Sequence, residues 1–104
     1  MDESADALEN ITVLDLTRVL AGPLCTQMLG DMGANIIKVE HPLRGDDTRH
    51  WGPPFADTEA AYFLGVNRNK KSLALDFKTP EGLNILQSLI MKSDVVIDNF
   101  KPGL

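Results

Sequence analysis

Apolar residues along this chain recur with two spacings. Ile11-Thr12-Val13-Leu14-Asp15-Leu16 is short, β-branched and mostly apolar, the pattern of a strand buried in a parallel sheet. After a connecting loop over residues 17–21, Gly22-Pro23 opens a helix, with Pro near the first helical position where its missing N–H costs nothing. Leu24, Met28 and Met32 recur at i, i+4 and i+8, with Cys25 and Leu29 beside them, which predicts one apolar face. Gly33 marks the C-cap. Asn35-Ile36-Ile37-Lys38-Val39-Glu40 reads as a second strand, and strand, helix and strand with tight loops predict a right-handed parallel crossover.

Residues 41–58 break the rhythm. Pro42, Gly45, Gly52, Pro53 and Pro54 are interleaved with charges, which predicts a long excursion without regular structure. A loop longer than about 12–15 residues is uncommon in a compact domain and is often functional. A short helix is predicted over residues 59–66, then a basic polar segment over 67–71, then a third strand over 72–76. Thr79-Pro80-Glu81 is a helix start, with Thr as N-cap, Pro at the first position and an acid in the first turn. Leu83, Leu86 and Ile90 form that helix's stripe, flanked by Ile85 and Leu89, and residues 94–98 read as a fourth strand. The whole predicts an α/β fold: an open, largely parallel sheet with helices on its faces. So few helices for two faces, and a last strand running into a loop opening, lead to the expectation that the sheet is incomplete.

Composition narrows the partners. At 104 residues the chain suffices for one small domain, and 43% apolar with 24% charged residues is ordinary for a globular protein. Fifteen acidic against ten basic residues, a formal charge of −5, disfavour a nucleic-acid binder. They leave room for a local basic pocket around a phosphate-bearing small molecule. Cys25 is the only cysteine, so no disulfide within the chain and no cysteine-based zinc site is expected. No apolar run approaches the roughly 20 residues that span a bilayer, so no membrane is expected either. Residues 1–10 are acidic and polar, without the features of a secretory signal or transit peptide. The expected location is the cytoplasm, or the mitochondrion if a transit peptide has been removed.

In open α/β sheets, ligands bind beyond the carboxyl ends of the strands at a topological switch point. The loops leaving those ends carry Arg18, Arg44, Arg49, Lys78 and Lys101, with Arg68, Lys70 and Lys71 before the third strand. Gly22 stands alone in the first strand-to-helix turn, so neither a dinucleotide fingerprint nor a P-loop is supported. Lys78, after a strand and before a helix, is the sharper candidate for a phosphate; the bland reading is a surface lysine near Glu81. Asn67-Arg68-Asn69-Lys70-Lys71 either holds phosphate or adenine groups or is a solvated basic loop. His41 and His50 lack a third ligand, Trp51 is expected to pack the loop down, and adjacent Asp46 and Asp47 suit a loop cap better than a dyad. Asp15 is a nucleophile only if it reaches the strand end, and Cys25 on the apolar helix face reads as a core thiol.

Several segments, in order and in spacing, resemble the class III CoA-transferase family of formyl-CoA-transferase and CaiB/BaiF type. They are residues 13–23 (VLDLTRVLAGP), 29–40 (LGDMGANIIKVE), 45–49 (GDDTR), 67–72 (NRNKKS), 76–82 (DFKTPEG) and 94–103 (DVVIDNFKPG). Residues 45–49 with Trp51-Gly52-Pro53-Pro54-Phe55 are most similar to the succinyl-CoA:glutarate branch. The resemblance implies a tail over residues 1–10 and, over 11–104, the N-terminal part of a Rossmann-like, CoA-binding large domain. It implies a longer enzyme that moves CoA from an acyl-CoA to a free, dicarboxylic acid, working as an interlocked homodimer. Coenzyme A would be a substrate, with no cofactor held permanently. The family's catalytic aspartate attacks the thioester and forms enzyme-bound anhydride and thioester intermediates. It is expected beyond Leu104, so no catalytic residue is assigned here.

Residue by residue, the resemblance implies that Val19, Leu20 and Ala21 contact the pantetheine and thioester. Leu75 and Lys78 would meet the adenine and phosphate end, and Asn99 and Phe100 would add nucleotide-side contacts. His41 stands where many members carry a CoA-contacting arginine, so either Arg44 substitutes or the adenine contact is weaker. Leu20 stands where some carry a glutamine, and it cannot donate that hydrogen bond. The alternatives are an α-methylacyl-CoA racemase of the same fold, which works by acid–base proton transfer, and a non-catalytic CoA-binding chain.

Overall fold

The computed structural model describes residues 6–56 and 59–101. Four strands form one all-parallel sheet: β1 (Thr12–Asp15), β2 (Asn35–Glu40), β5 (Lys70–Ala74) and β6 (Val95–Ile97), in the order β5-β2-β1-β6. Helix α1 (Ala21–Asp31) links β1 to β2, and α3 (Pro80–Lys92) carries the chain from β5 at one edge to β6 at the other. The direction of winding reverses between β1 and β6, so the switch point lies at their carboxyl ends.

Because side chains alternate across a strand, neighbouring residues of β1 feed opposite faces. Leu14 joins Leu16, Val39, Leu75 and Leu86 of α3 on one side. Val13 joins Ala34 and Ile36 on the other, where Leu29 of α1 packs. The bounds of β2 are those the sequence predicts. The predicted cap of α3 also forms: Thr79 Oγ1 accepts the Gly82 amide at 3.0 Å, with Pro80 at the first turn. Gly33, at φ +102°, turns the chain out of α1 toward β2.

Other expectations are corrected. The excursion of residues 41–58 is not wholly irregular. It holds a 3-10 turn over Asp47–His50 and the strand β3 (Phe55–Ala56), which pairs antiparallel with β4 (Glu59–Ala60). The helix predicted over 59–66 is therefore shortened to α2 (Ala61–Gly65). The third strand begins at Lys70, because Lys70 and Lys71 already pair with Ile36 and Ile37.

The largest correction concerns the helix faces. In α1 the buried side chains are Pro23, Thr26 and Gln27, whereas Leu24, Met28, Met32 and Cys25 are exposed. Cys25 is thus a surface thiol. The helix turns its polar residues inward because they have bonds to make there: Thr26 donates to Asp15, and Gln27 accepts the Arg68 amide at 2.9 Å. In α3 only Gly82 and Leu86 are buried, and Leu83, Ile85 and Ile90 face outward.

Candidate functional site

The carboxyl ends of β1, β2 and β5 are filled with charge. Lys38 in β2 is 1% exposed, and its ammonium sits 2.9 Å from both the Thr17 carbonyl and Asp46 Oδ2. Such a buried cation persists only when paired and hydrogen-bonded. Asp46 comes from the 41–58 excursion; it caps the 3-10 turn, accepting from the Thr48 amide at 3.0 Å and the Thr48 hydroxyl at 2.9 Å. Burial pushes its carboxyl up, but the Thr48 amide and Lys38 outweigh this and hold it below its ordinary range.

A second buried pair lies one strand further along. Asp15, fully buried, accepts from the Thr17 amide at 2.9 Å, the Thr17 hydroxyl and the Thr26 hydroxyl at 2.6 Å, and pairs with Lys70 at 3.1 Å. Lys70 also donates to the Pro23 carbonyl and to Asn67. Burial pulls the Lys70 ammonium below its ordinary range against the attraction of Asp15. Asp15 is therefore a strut with its oxygens engaged, not a nucleophile. The basic run of residues 67–71 divides at the start of β5: Lys70 goes inward, and Arg68 pairs with exposed Asp31 at 2.7 Å.

Glu40 closes the network. Arg49 grips it with two bonds of 2.7 and 2.8 Å, Ser72 donates at 2.7 Å and the Asp46 amide at 2.8 Å. Burial pushes Glu40 up, but Arg49, Ser72 and the Asp46 amide hold its carboxyl at about 2. The Arg49 guanidinium also lies 3.7 Å from the Phe63 ring centre. Trp51 packs edge-on against Tyr62, as expected of a loop anchor. The excursion is thereby fastened to the sheet by charge as much as by apolar contact. Among the described residues, every buried side-chain nitrogen and oxygen has a partner.

Above this floor opens a cavity of about 270 Å³, walled by Leu16, Val39, Leu75, Phe77 and Phe100 and rimmed by Arg18, His41, Arg44 and Lys78. Asp47 and Asp76 also face it, and His41 Nε2 is 4.0 Å from Asp76. Arg18, Arg44 and Lys78 thus meet at one mouth of a chain of net charge −5, on a cavity that Glu40, Asp46, Asp47 and Asp76 also line. Among the described residues no His, Cys, Asp and Glu group suits a metal ion, and no helix is long and apolar enough to cross a membrane.

Of the residues singled out in the sequence, His41, Leu75, Lys78 and Phe100 meet at this cavity. Val19, Leu20 and Ala21 lie beside it, in the β1–α1 loop and the first turn of α1, and form no part of its wall. Asn99 faces that loop, with Oδ1 accepting the Arg18 amide at 3.2 Å and Nδ2 donating to the Arg18 carbonyl at 2.9 Å. Val19 has φ +75°, a left-handed conformation costing a β-branched residue about 1–3 kcal/mol. Its amide faces both oxygens of Asp46 at 3.3 Å. Gly22 is needed for close approach, since a Cβ there would fall 2.5 Å from Thr17 Cβ. Sequence reasoning missed Lys38, Glu40 and Asp46 as a unit. The available signal was Lys38 and Glu40, two charges inside an otherwise apolar strand, which require partners.

A four-stranded all-parallel sheet flanked by helices, with a cavity at the carboxyl ends of its strands, defines the class of α/β fold. The profile of CoA-transferase family III matches residues 8–104, and the chain belongs to that family. It is 56% identical over 101 residues to a mouse succinyl-CoA:glutarate CoA-transferase, covering 97% of this chain and 23% of that protein. It is 53% identical over 100 residues to a succinate–glutarate CoA-transferase of Agrobacterium fabrum, covering 90% and 25%. A crystal structure of a CaiB/BaiF family protein from Brucella suis superposes with a TM-score of 0.89 at 48% identity, covering 95% and 27%. The chain spans about a quarter of the length of these relatives.

Proposed function

We propose that this chain forms the CoA-binding part of an acyl-CoA:carboxylate CoA-transferase whose acceptor is a dicarboxylic acid. The observation that carries the reading is the cation-rimmed cavity at the carboxyl ends of β1, β2 and β5, in a chain whose relatives bear succinyl-CoA:glutarate names. Coenzyme A is a polyanion with a flat base at one end and a long apolar arm. Lys78 and Arg44 suit its phosphates, His41 with Arg44 the edge of the base, and Leu75 and Phe100 its apolar surface. Asn99, after β6, would add a nucleotide-side contact. Val19, Leu20 and Ala21 face the pantetheine and thioester. Coenzyme A comes and goes as a substrate. The aspartyl nucleophile of the transfer, and a partner subunit in an interlocked dimer, lie outside these residues and rest on the sequence resemblance.

Calorimetric titration of CoA into the complete protein tests this. Saturable binding, weakened roughly 3- to 10-fold by Lys78→Ala, is the expected result. No binding to folded protein would overturn the reading, and an unchanged Kd in the variant would remove Lys78 from the site.

A further inference from the structure

The β1–α1 loop holds a conformation that its own sequence does not favour. Val19 is β-branched and sits at φ +75°, where such residues stay only when their surroundings fix them. Five backbone groups along this loop are each taken by a side chain. The Thr17 amide goes to Asp15 and its carbonyl to Lys38; the Arg18 amide and carbonyl go to Asn99; the Val19 amide goes to Asp46. Of these partners Asp46 alone comes from the 41–58 excursion and alone holds the strained residue. It is itself immobilised: its amide is bound by Glu40, its Oδ1 by Thr48 and its Oδ2 by Lys38, and its side chain is 0% exposed.

We infer that Asp46 is a positioning residue for acyl-CoA turnover: its carboxylate, fixed by Lys38, locks Val19 in the left-handed conformation and so sets the place of Leu20 and the first turn of α1. The inference rests on the CoA-transfer reading, because residues 19–21 are the stretch assigned to the thioester arm. It gives the 41–58 excursion a task in the site beyond covering the sheet. A side chain serving stability alone would lower the folded fraction and leave the turnover of each folded molecule untouched. A positioning side chain lowers turnover in molecules that are folded and bind CoA.

The test uses the complete enzyme with Asp46→Asn, which removes the charge that Lys38 fixes and leaves one side-chain oxygen to serve the partners that two carboxylate oxygens now hold. Amide hydrogen exchange at Val19 should accelerate at least roughly 10-fold. The kcat per folded molecule should fall about 10- to 100-fold, with KM for acyl-CoA changed less than about 3-fold. Glycine takes the left-handed conformation without support. In a Val19→Gly background, Asp46→Asn should therefore lower kcat by no more than about 3-fold. If Asp46→Asn fails to fold, Lys38→Met with Asp46→Leu removes both buried charges together, leaves neither unpaired, and carries the same expectations. Unchanged exchange at Val19, unchanged kcat per folded molecule, or no relief from Val19→Gly would each overturn the inference. A folded wild type without CoA transfer would overturn the functional reading and the positioning role with it, while Val19 exchange would still report whether the clamp exists.

Discussion

The carboxyl edge of the sheet and the outer faces of its helices invert the usual distribution of side chains in opposite ways. At the edge, Asp15, Lys38, Glu40 and Asp46 are buried and every one is paired. On α1 and α3, Leu24, Met28, Met32, Leu83 and Ile90 are between 39% and 55% exposed. Buried charge is tolerated where it fixes the geometry of loops, since each ion holds several backbone groups at once. On α1 most of the apolar stripe is turned away from this sheet, whereas α3 sends Leu86 of its stripe into the core and leaves Leu83 and Ile90 outside. The pattern of a helix therefore tells that an apolar stripe exists, and the needs of the sheet decide whether that stripe faces it.

The comparison breaks most readily at Lys38. Lys38→Ala leaves the Asp46 carboxylate buried without its cation, and should cost about 3–5 kcal/mol of stability in urea denaturation. A loss below about 1 kcal/mol would mean that water reaches Asp46 and that the edge is not the dry network described. The next effect is one of pH. The Glu40 carboxyl is held at about 2 against an ordinary 4.5, so the folded state binds its proton more weakly than the unfolded chain does. The stability this confers is present above pH 4.5 and disappears as pH falls toward 2, with Asp46 acting in the same direction. The shift corresponds to on the order of 2–3 kcal/mol. Glu40→Gln should flatten that part of the stability–pH curve, measured by denaturant midpoints between pH 5 and 2.5. The smallest effect belongs to the helices: Met28→Gln should change stability by less than about 0.5 kcal/mol. A larger loss in the complete protein would show that this face is covered there.

What was legible in the sequence was whatever depends on neighbours along the chain. The apolar run of residues 35–40 and the Thr79-Pro80 cap each specify their element locally, and both formed as read. The strand-end placement of the cavity also followed from topology, because a parallel sheet wound this way has one edge where its loops meet. What escaped was set by partners distant in sequence. Lys38 meets Asp46 only once the excursion folds back over β2. Thr26 and Gln27 turn α1 against its own apolar stripe because Asp15 and the Arg68 amide wait beneath them. The bonds by which Asn99 joins the loop after β6 to the loop after β1 were likewise not legible, since Arg18 lies 81 positions away.

The pairing of β6 with β1 also governs the order in which the sheet is assembled. Thr12 and Asp94 are bonded across 82 positions of chain. At synthesis rates of about 5–20 residues per second, β1 waits on the order of 4–16 s before its second neighbour is made. During that interval it can zip to β2 through the short α1 connection, but its other flank has no native partner. The nascent chain thus passes through a stage with an open sheet edge, the kind of surface on which ribosome-proximal chaperones act and strand-to-strand aggregation begins.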